Sequence, residues 1–298
     1  MIVITGATGH TGRPAAEALL AKGEKVRAVG RDAQKLEPLA QKGAEAFAGD
    51  PADAAAMTKA FERAAAVYLV VPQGRVEDPR AFQESVTDSY AAAVAAAKPA
   101  HVVTLSSMGA QHAEKTGPIV GLHNMEQKLN NVPNLNVLHL RPAQFMENLL
   151  MNIAPLRMMG SLPGAAPKDV AQPWIATKDI GAYAATRLMA GDFSGSSVQE
   201  LSGPRDVSWK EIASIIGAAI GNPGLGYMQV PFLMLEPALA QIGMSRKMAA
   251  LMVEMLKAAN AGLLNPEQPR TPQNTTPTTI ESFVAEVFAP AYMAKAAG

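Results

Sequence analysis

The sequence predicts an α/β fold, in which a doubly wound parallel sheet is followed by a smaller, mostly helical C-terminal lobe. Two observations support this prediction. Between Ile2 and Leu140, apolar runs of strand length alternate six times with helical patterns, an order typical of a parallel sheet with helices on both faces. Beyond about Phe145 this regularity ends. We therefore expect a first domain over residues 1–150 and a lobe over residues 151–298, with strands near residues 174–177 and 198–202 returning to the sheet.

The composition excludes several classes of protein and of site. The chain has 298 residues, enough for a large domain with a smaller lobe, and its 26 basic and 26 acidic residues give no net charge. Charge therefore favours neither a nucleic acid nor a membrane as partner. Without cysteine there are no disulfides, thiolate ligands or cysteine nucleophiles, and no metal site is predicted. With no apolar run of about 18 residues and a first strand that begins at Ile2, we expect a soluble, cytoplasmic protein without a signal peptide.

The first strand begins at Ile2 and enters a glycine-rich turn, and a helical pattern from Pro14 to Lys22 leaves it. Glycine lets the backbone approach a phosphate or a packed helix, and the N-terminus of a helix attracts phosphate groups. This order is the context in which a glycine motif marks a dinucleotide site, although a plain corner between strand and helix is the alternative. The residues assigned to cofactor binding in this turn are Gly6, Thr8, Gly9, His10, Thr11 and Gly12.

The remaining elements follow in order along the chain. In the first half, we predict strands at residues 25–29, 44–49, 67–71, 101–105 and 136–140, and helices at residues 53–63, 79–97 and 123–130. Asp78 is the expected N-cap of the helix at 79–97, because Pro79 suits the first helical position. In the second half, Asp179 is expected to open a helix over 180–189, and capping boxes that begin at Ser208 and Thr278 precede two more helices. Residues 265–277 form a proline-rich connector.

The end of the second strand bears on the choice of cofactor. Folds that prefer NAD place an acidic residue about 20 residues after the glycines, to bind the ribose 2′-hydroxyl. Arg31 stands in that place here, and Lys35 follows one helical turn later. Two cations suit a 2′-phosphate, which favours NADP(H), whereas the neighbouring Asp32 keeps NAD(H) open. The alternative interpretation is that both cations are ordinary solvated surface charges.

Other residues at the carboxyl ends of the strands are also placed to border the cofactor. The first is suited to the adenine amino group and the next three to the adenosine ribose, although each of these four can equally be a cap of its strand end. The two serines are suited to a ribose or a substrate oxygen, and the glycine-rich turn after them is the alternative explanation for their presence. They are Asp50 after the third strand, Val71, Pro72 and Gln73 after the fourth, and Ser106 and Ser107 after the fifth.

The spacing G-x-x-G-x-x-G in Gly6–Gly12 resembles the short-chain dehydrogenase superfamily, in particular its extended and atypical branches. Members of that superfamily usually protonate their substrate with a tyrosine, assisted by a lysine four residues later. None of the five tyrosines of this chain has a lysine at that spacing. The residues found there are Pro72, Val94, Arg187, Pro231 and Ala296.

Motifs after the fifth strand indicate one branch of that superfamily. His123 is followed by Glu126, then by Arg141-Pro142 and by the run Phe145-Met146-Glu147-Asn148. Together with the segments 174–181 and 201–204, this combination resembles the NmrA-like family of atypical short-chain dehydrogenases over nearly the whole chain. The resemblance implies a Rossmann core and NAD(P) binding. It does not imply one activity, because the family includes quinone and dye reductases and catalytically silent redox sensors.

The missing tyrosine and lysine limit the chemistry. Hydride transfer to an ordinary ketone forms an alkoxide, which needs a positioned acid. Transfer to a quinone forms a phenolate-like oxygen with a pKa of about 10, which water can protonate. We therefore predict an NADPH-dependent reductase of quinone-like or other flat aromatic electrophiles; the alternative is a non-catalytic redox sensor with a regulatory protein partner. A sugar-nucleotide epimerase or dehydratase needs the missing pair and is disfavoured.

The candidate catalytic residue is His123, for which a capping or packing role is equally open. The lobe is rich in methionine, which indicates either a plain core or a deformable pocket for aromatic substrates. We rank Glu147 and Asn148 as structural residues that bond backbone where the two lobes meet, and a homodimer is left open. The residues assigned to the substrate pocket are Met108, Gln144, Phe145 and Met146.

Overall fold

The computed structural model describes residues 1–72 and 76–294, and in them a central sheet of seven parallel strands. The strands of the first half are β1 Ile2–Ile4, β2 Val26–Gly30, β3 Glu45–Ala48, β4 Ala66–Val70, β5 His101–Leu105 and β6 Asn136–Pro142. Those of the second half are β7 Gln144–Phe145, β8 Ser161–Gly164, β9 Ala171–Ile175, β10 Ser196–Leu201, β11 Asp206–Ser208 and β12 Gly226–Gln229. The sheet order is β10-β6-β5-β4-β1-β2-β3, so the chain changes direction across the sheet between β1 and β4. The predicted doubly wound α/β fold is confirmed.

Helices cover both faces of this sheet. In the first half they are α1 Gly12–Ala21, α2 Ala33–Ala40, α3 Ala54–Phe61, α4 Pro79–Ala97 and α5 Ile119–Asn130. In the second half they are α6 Ile153–Met159, α7 Thr177–Ala190, α8 Trp209–Ala219, α9 Phe232–Gln241, α10 Arg246–Asn260, α11 Ile280–Phe283 and α12 Ala289–Met293. A 3-10 turn at Met146–Asn152 precedes α6, and a π-helical stretch at Val284–Phe288 joins α11 to α12.

The inner strands β1, β2, β4, β5 and β6 are largely buried on both faces, which explains their apolar runs, whereas the edge strand β3 is mostly exposed and β10 partly so. One core contains Ile4 of β1 together with Leu19 of α1 and Ile180 of α7. The core on the opposite face contains Met57 of α3 and Val86 of α4. The inner strands thus contribute side chains to two separate cores, and the sheet lies between two layers of helices.

The later part of the chain completes the sheet in one place and departs from the prediction in another. The strand expected near residues 198–202 joins the central sheet as β10, parallel to β6. The strand expected near residues 174–177 was predicted to do the same, and this is wrong: β9 pairs with β7 and β11 in a separate three-stranded sheet. The physical reason is its side chains, since Trp174 is buried in the lobe and meets the Trp209 ring edge-on at 5.3 Å.

The observed helix boundaries test the capping residues that were predicted from the sequence. The Asp78 carboxylate accepts a hydrogen bond from the Ala81 amide at 3.1 Å, as expected of the cap of α4. The Ser208 hydroxyl accepts from the Glu211 amide at 3.2 Å and caps α8. Two predictions were wrong. Helix α7 begins at Thr177 instead of being opened by Asp179, and the last cap is Thr279 instead of the residue before it.

The misassigned Asp179 has a different partner. Its carboxylate accepts hydrogen bonds from the amide of Thr278 at 2.9 Å and from the hydroxyl of the same residue at 2.8 Å. These bonds hold the C-terminal end of the proline-rich connector. A second carboxylate holds its N-terminal end, since Glu200 of β10 accepts hydrogen bonds from the amides of Glu267 and Gln268. The connector therefore fastens the lobe to the sheet.

The lobe has its own core, which contains Trp174, Ile212 of α8 and Phe288. Helix α10 lies against the loop between β5 and α5. A Cβ built on Gly117 of that loop would lie 3.0 Å from Cβ of Met255. Two ion pairs join α10 to the start of α4, namely Lys247–Asp78 at 2.8 Å and Arg80–Glu254 at 3.6 Å. No helix within residues 1–72 and 76–294 is both long and apolar enough to cross a bilayer.

Candidate functional site

The glycine turn lies at the carboxyl end of β1, where the strand order reverses. Gly6 has φ +59°, a backbone conformation that favours glycine. A Cβ built on Gly12 would lie 2.7 Å from the carbonyl carbon of Gly6 and closer still to its oxygen. The Gly9 amide donates to that oxygen at 2.9 Å. The backbone of the turn therefore packs around the Gly6 carbonyl group, and a side chain at position 12 would prevent this packing.

Helix α1 begins at Gly12 and directs its amino end into the turn. Within the described residues, no hydrogen-bond partner is found for the amides of Thr8, His10, Thr11 and Gly12. Thr11 occupies the N-cap position, but its hydroxyl makes no capping bond. Free amides at a helix N-terminus form a site for an anion, strengthened by the helix dipole. The turn has the donors that a pyrophosphate requires.

Thr5 was not predicted as part of the site. Its hydroxyl donates to the carbonyl of Tyr68 at 3.0 Å and accepts from the amide of Val70 at 2.8 Å. It therefore joins β1 to β4 directly beneath the turn. The signal in the sequence was a hydroxyl residue directly before the first glycine, at a strand end. Such a residue can replace the ladder bonds that the departing strand no longer makes.

The cations proposed for the 2′-phosphate lie beside the turn. Arg31 directly follows β2 and is exposed. A Cβ built on Gly30, the residue before it, would lie 3.7 Å from the methyl group of Thr8. Lys35 lies one turn along, with 71% of its side chain exposed and its Nζ 3.9 Å from the carboxylate of Asp32. Both cations remain accessible to a ligand.

The two carboxylates of this region that were considered for cofactor binding each accept a hydrogen bond from a nearby backbone amide. The carboxylate of Asp32 accepts from the Gln34 amide at 3.0 Å and caps α2. Asp50 accepts from the Ala52 amide at 3.0 Å. Each keeps one carboxylate oxygen free of these bonds. Val71 and Pro72 are half-buried after β4, whereas Gln73 lies outside the described residues.

At the carboxyl ends of β5 and β6, three side chains form a buried hydrogen-bond network. Glu126 of α5 is 2% exposed. Its carboxylate accepts from Arg141 Nε at 3.0 Å and Nη2 at 2.6 Å, and from the Ser106 hydroxyl at 2.5 Å. Burial alone would lower the pKa of Arg141, but the hydrogen bond and charge of Glu126 raise it above its usual value. Neither Glu126 nor Arg141 was assigned to the site from the sequence.

Ser107 lies in the loop after β5, and His123 lies on α5, the helix that follows this loop. The Ser107 hydroxyl donates to the Met108 carbonyl at 2.9 Å. His123 Nδ1 lies 2.8 Å from the Ala110 carbonyl oxygen, and because a carbonyl only accepts, this nitrogen carries the proton. The ring is half-buried, and Nε2 is left for another partner.

The residues assigned to the substrate pocket differ in their accessibility. Met108 and Met146 are buried, at 3% and 1% exposure; Met108 belongs to the sheet core that contains Ile4, and Met146 to the core of the lobe. Gln144 and Phe145 are half-buried and lie between the sheet and the lobe. Only these last two present surface to a ligand without rearrangement.

Two further predictions concern the junction of the lobes and the absence of a metal. Glu147 accepts from the amide and the hydroxyl of Thr177, as predicted for a structural residue at this junction, whereas Asn148 is exposed. In the part of the chain that the structure describes, no three histidine, aspartate or glutamate side chains are grouped to hold a metal ion.

Comparison with known proteins gives a consistent result. The sequence profile of the NmrA-like family matches residues 1–284. The chain is 29% identical over 226 residues to (4-alkanoyl-5-oxo-2,5-dihydrofuran-3-yl)methyl phosphate reductase of Streptomyces griseus, covering 75% of each chain. It is 27% identical over 266 residues to NAD(P)H azoreductase of Xenophilus azovorans, covering 87% of each. It also has the fold of NADPH-dependent quinone oxidoreductase QOR2 of Escherichia coli, whose structure was solved with NADPH. The two structures superpose with a TM-score of 0.80 over 97% of this chain and 100% of that one, at 23% sequence identity.

Proposed function

Because this chain belongs to the NmrA-like family, we propose that it is an NADPH-dependent reductase that transfers hydride to a quinone-like or other flat aromatic electrophile. The observation that carries the proposal is the glycine turn, with its free amides at the N-terminus of α1 and exposed Arg31 beside it. The names of the two relatives support the reductase chemistry, and one of them is an azoreductase.

The residues fit a dinucleotide laid across the carboxyl edge of the sheet. The pyrophosphate would lie on the amides of the turn, where ligands bind in open α/β folds. The adenosine half would extend over β2 and β3, towards Arg31, Lys35 and Asp50. Val71 and Pro72, at the end of β4, would border the adenosine ribose. The nicotinamide half would extend over β5, where Ser106 and Ser107 are the residues proposed to bind a ribose or a substrate oxygen. When bound, the reduced nicotinamide supplies the hydride.

The described tyrosines of the central sheet and of the helices that cover it do not replace the missing proton donor. Tyr68 and Tyr90 are buried in the cores of the sheet, and burial raises the pKa of each phenol. Tyr183 lies on α7, on the side of the sheet that packs against α1. An acceptor whose reduced form needs no strong acid therefore suits this site. We infer that Gln144 and Phe145 form the accessible wall against which the acceptor lies.

Oxidation of NADPH in the presence of candidate acceptors tests the proposal. The panel contains benzoquinones, naphthoquinones and an azo dye, with simple aliphatic ketones as the control class, and dinucleotide affinities are measured alongside. We expect turnover with at least one quinone or dye and none with the ketones. Turnover restricted to ketones would contradict the proposal. Tight NADPH binding without turnover on any acceptor would instead favour the redox sensor with a protein partner.

A further inference from the structure

Three charged side chains follow one another where β2 ends and α2 begins. Arg31 comes directly after the strand and is exposed. Asp32 and Lys35 come next, with 48% and 71% of their side chains exposed, and the Lys35 Nζ is 3.9 Å from Asp32 Oδ2. The carboxylate therefore neutralises part of the positive charge that the two cations offer to a ligand. Because like charges repel, a carboxylate in this position opposes the binding of a 2′-phosphate.

The carboxylate of Asp32 is held in place by α2, whereas the ammonium of Lys35 is held only weakly by Asp32. Asp32 Oδ1 accepts a hydrogen bond from the Gln34 amide at 3.0 Å and caps the helix. At 3.9 Å, the Lys35 ammonium lies beyond hydrogen-bond distance of Asp32, and most of its long side chain is in solvent. Exposed pairs of this kind are weak, so a phosphate can draw the ammonium away but must compete with Asp32 for it.

We propose that Asp32 is a positioning residue for cofactor specificity, which competes with the 2′-phosphate for Lys35, so that the chain uses NADH as well as NADPH. The proposal rests on the proposed function, which brings the adenosine ribose to the end of β2. When NADPH is bound, the 2′-phosphate gains Lys35 only at the expense of the Asp32–Lys35 pair. When NADH is bound, that pair stays intact, because a ribose hydroxyl carries no charge to disrupt it. The preference for NADPH is therefore smaller than two unopposed cations would produce.

A purely structural role for Asp32 as the cap of α2 has different consequences. Asparagine and serine cap helices about as well as aspartate, so either substitution leaves the helix in place and removes only the charge. A structural residue would then affect neither cofactor, or both to the same extent. A carboxylate that competes for Lys35 changes the affinity for NADPH and leaves the affinity for NADH nearly unchanged. The ratio of the two affinities therefore separates the two roles.

The experiment measures the dissociation constants of NADPH and NADH by fluorescence titration for the wild type, Asp32→Asn, Lys35→Ala and the double variant, with melting temperatures recorded for each. We expect Asp32→Asn to strengthen NADPH binding by roughly two- to fivefold, the size of an exposed ion pair, and to change NADH binding by less than about twofold. Lys35→Ala should cost at least about twofold more NADPH affinity in the Asp32→Asn background than in the wild type. Equal costs in the two backgrounds would overturn the proposal. A loss of NADH affinity with NADPH unchanged would also overturn it, since the carboxylate would then be a ligand of the ribose.

Two further variants and a change of salt concentration complete the test. Asp32→Ser keeps a capping hydroxyl without the charge and should reproduce the effect of Asp32→Asn. Glu24→Gln removes an exposed carboxylate before β2, at the opposite edge of the sheet, and should leave both affinities unchanged. The gain in NADPH affinity should shrink in about 0.5 M salt, and a gain that persists there would contradict an effect of charge.

The outcomes also separate this proposal from the proposed function. Failure of the wild type to bind either dinucleotide would refute the proposed function itself. Binding of NADPH alone, or of both dinucleotides with the same affinity ratio in the wild type and Asp32→Asn, would refute only the role of Asp32.

Discussion

Gly6 and Gly12 are in backbone contact across the turn that begins the chain's first helix, with no room for a side chain on Gly12. The contact directs the first amides of α1 towards the end of β1 and β4. The three glycines are therefore needed for different reasons. Gly6 adopts a left-handed backbone, while Gly9 and Gly12 surround its carbonyl group.

Replacing Gly12 by alanine should disrupt the anion site. The added methyl group overlaps the Gly6 carbonyl, so the turn must open, and we expect NADPH affinity to fall at least about tenfold with a loss of roughly 1–3 kcal/mol in stability. Fluorescence titration with NADPH and urea unfolding measure the two effects. Gly226→Ala is the matched control, because a Cβ there meets nothing within 4 Å. A folded Gly12→Ala protein with normal NADPH affinity would place the dinucleotide elsewhere.

Replacing Arg31 by alanine should weaken NADPH and leave NADH nearly unchanged. A charge-assisted contact to the 2′-phosphate is worth about 1.5–3 kcal/mol, which corresponds to roughly a tenfold to hundredfold loss. Because the side chain is exposed, the difference should shrink as salt is added. Lys25→Ala, an exposed cation just before β2 at the opposite edge of the sheet, serves as control. Equal losses for both cofactors would refute the 2′-phosphate role.

Replacing His123 should reduce turnover only modestly if water protonates the product. His123→Asn is the informative change, since its side-chain NH₂ can still donate to the Ala110 carbonyl while Nε2 is removed. We expect kcat to fall by less than about 100-fold, the lower end of what loss of a general acid causes. Steady-state kinetics with a quinone substrate measure kcat, and NADPH affinity is measured alongside to check that the cofactor still binds. Abolished turnover with intact cofactor binding would make His123 an obligate proton donor.

His139 should make the fold sensitive to acid. The ring is 1% exposed; its Nε2 donates to Asn130 Oδ1, and its Nδ1 accepts from the Thr104 hydroxyl, each at 2.9 Å. Burial lowers the pKa of His139 to about 4 from an ordinary 6.5. The unfolded chain therefore binds the proton more readily, so stability present above about pH 6.5 is lost as the pH falls towards 4, by about 3 kcal/mol in all.

The measurement compares urea unfolding at pH 7 and at pH 4 for wild type and His139→Gln. The acid-induced loss should be smaller in the variant by about the stated amount, because all other titrating groups are shared. His112→Gln, in the loop after β5, should behave as the wild type does. An identical acid-induced loss in His139→Gln would show that the ring is not the responsible group.

The sequence predicted those elements whose signals are local. Helix α4 was located from Pro79 to Ala97 because an aspartate cap and a proline at the first position lie side by side in the chain. The strand containing Trp174 was recognised, but its sheet was not, because an apolar run does not specify which neighbours it will pair with. That choice depends on Trp209, far along the chain, which buries the indole of Trp174 in the lobe.

The site was predictable to a similar extent. The glycine turn and Arg31 follow from spacing within one strand–helix unit, so their neighbourhood could be inferred directly. Glu126 could not be assigned a role, because a single glutamate on a helix usually lies on the surface. Its partners Ser106 and Arg141 come from two different strand ends, and only the folded sheet brings their side chains together.

The placement of α7 and β10 has a consequence for the synthesis of the protein. Gly181 of α7 lies so close to α1 that a Cβ on it would be 2.8 Å from Cβ of Pro14, and β10 supplies the neighbour that β6 lacks until then. A nascent chain that ends near residue 150 therefore exposes the outer surface of α1 and an unpaired strand edge, the features that promote aggregation. We therefore expect the turn, although it is made first, to become a stable binding site only once α7 and β10 have been synthesised and have packed against α1 and β6.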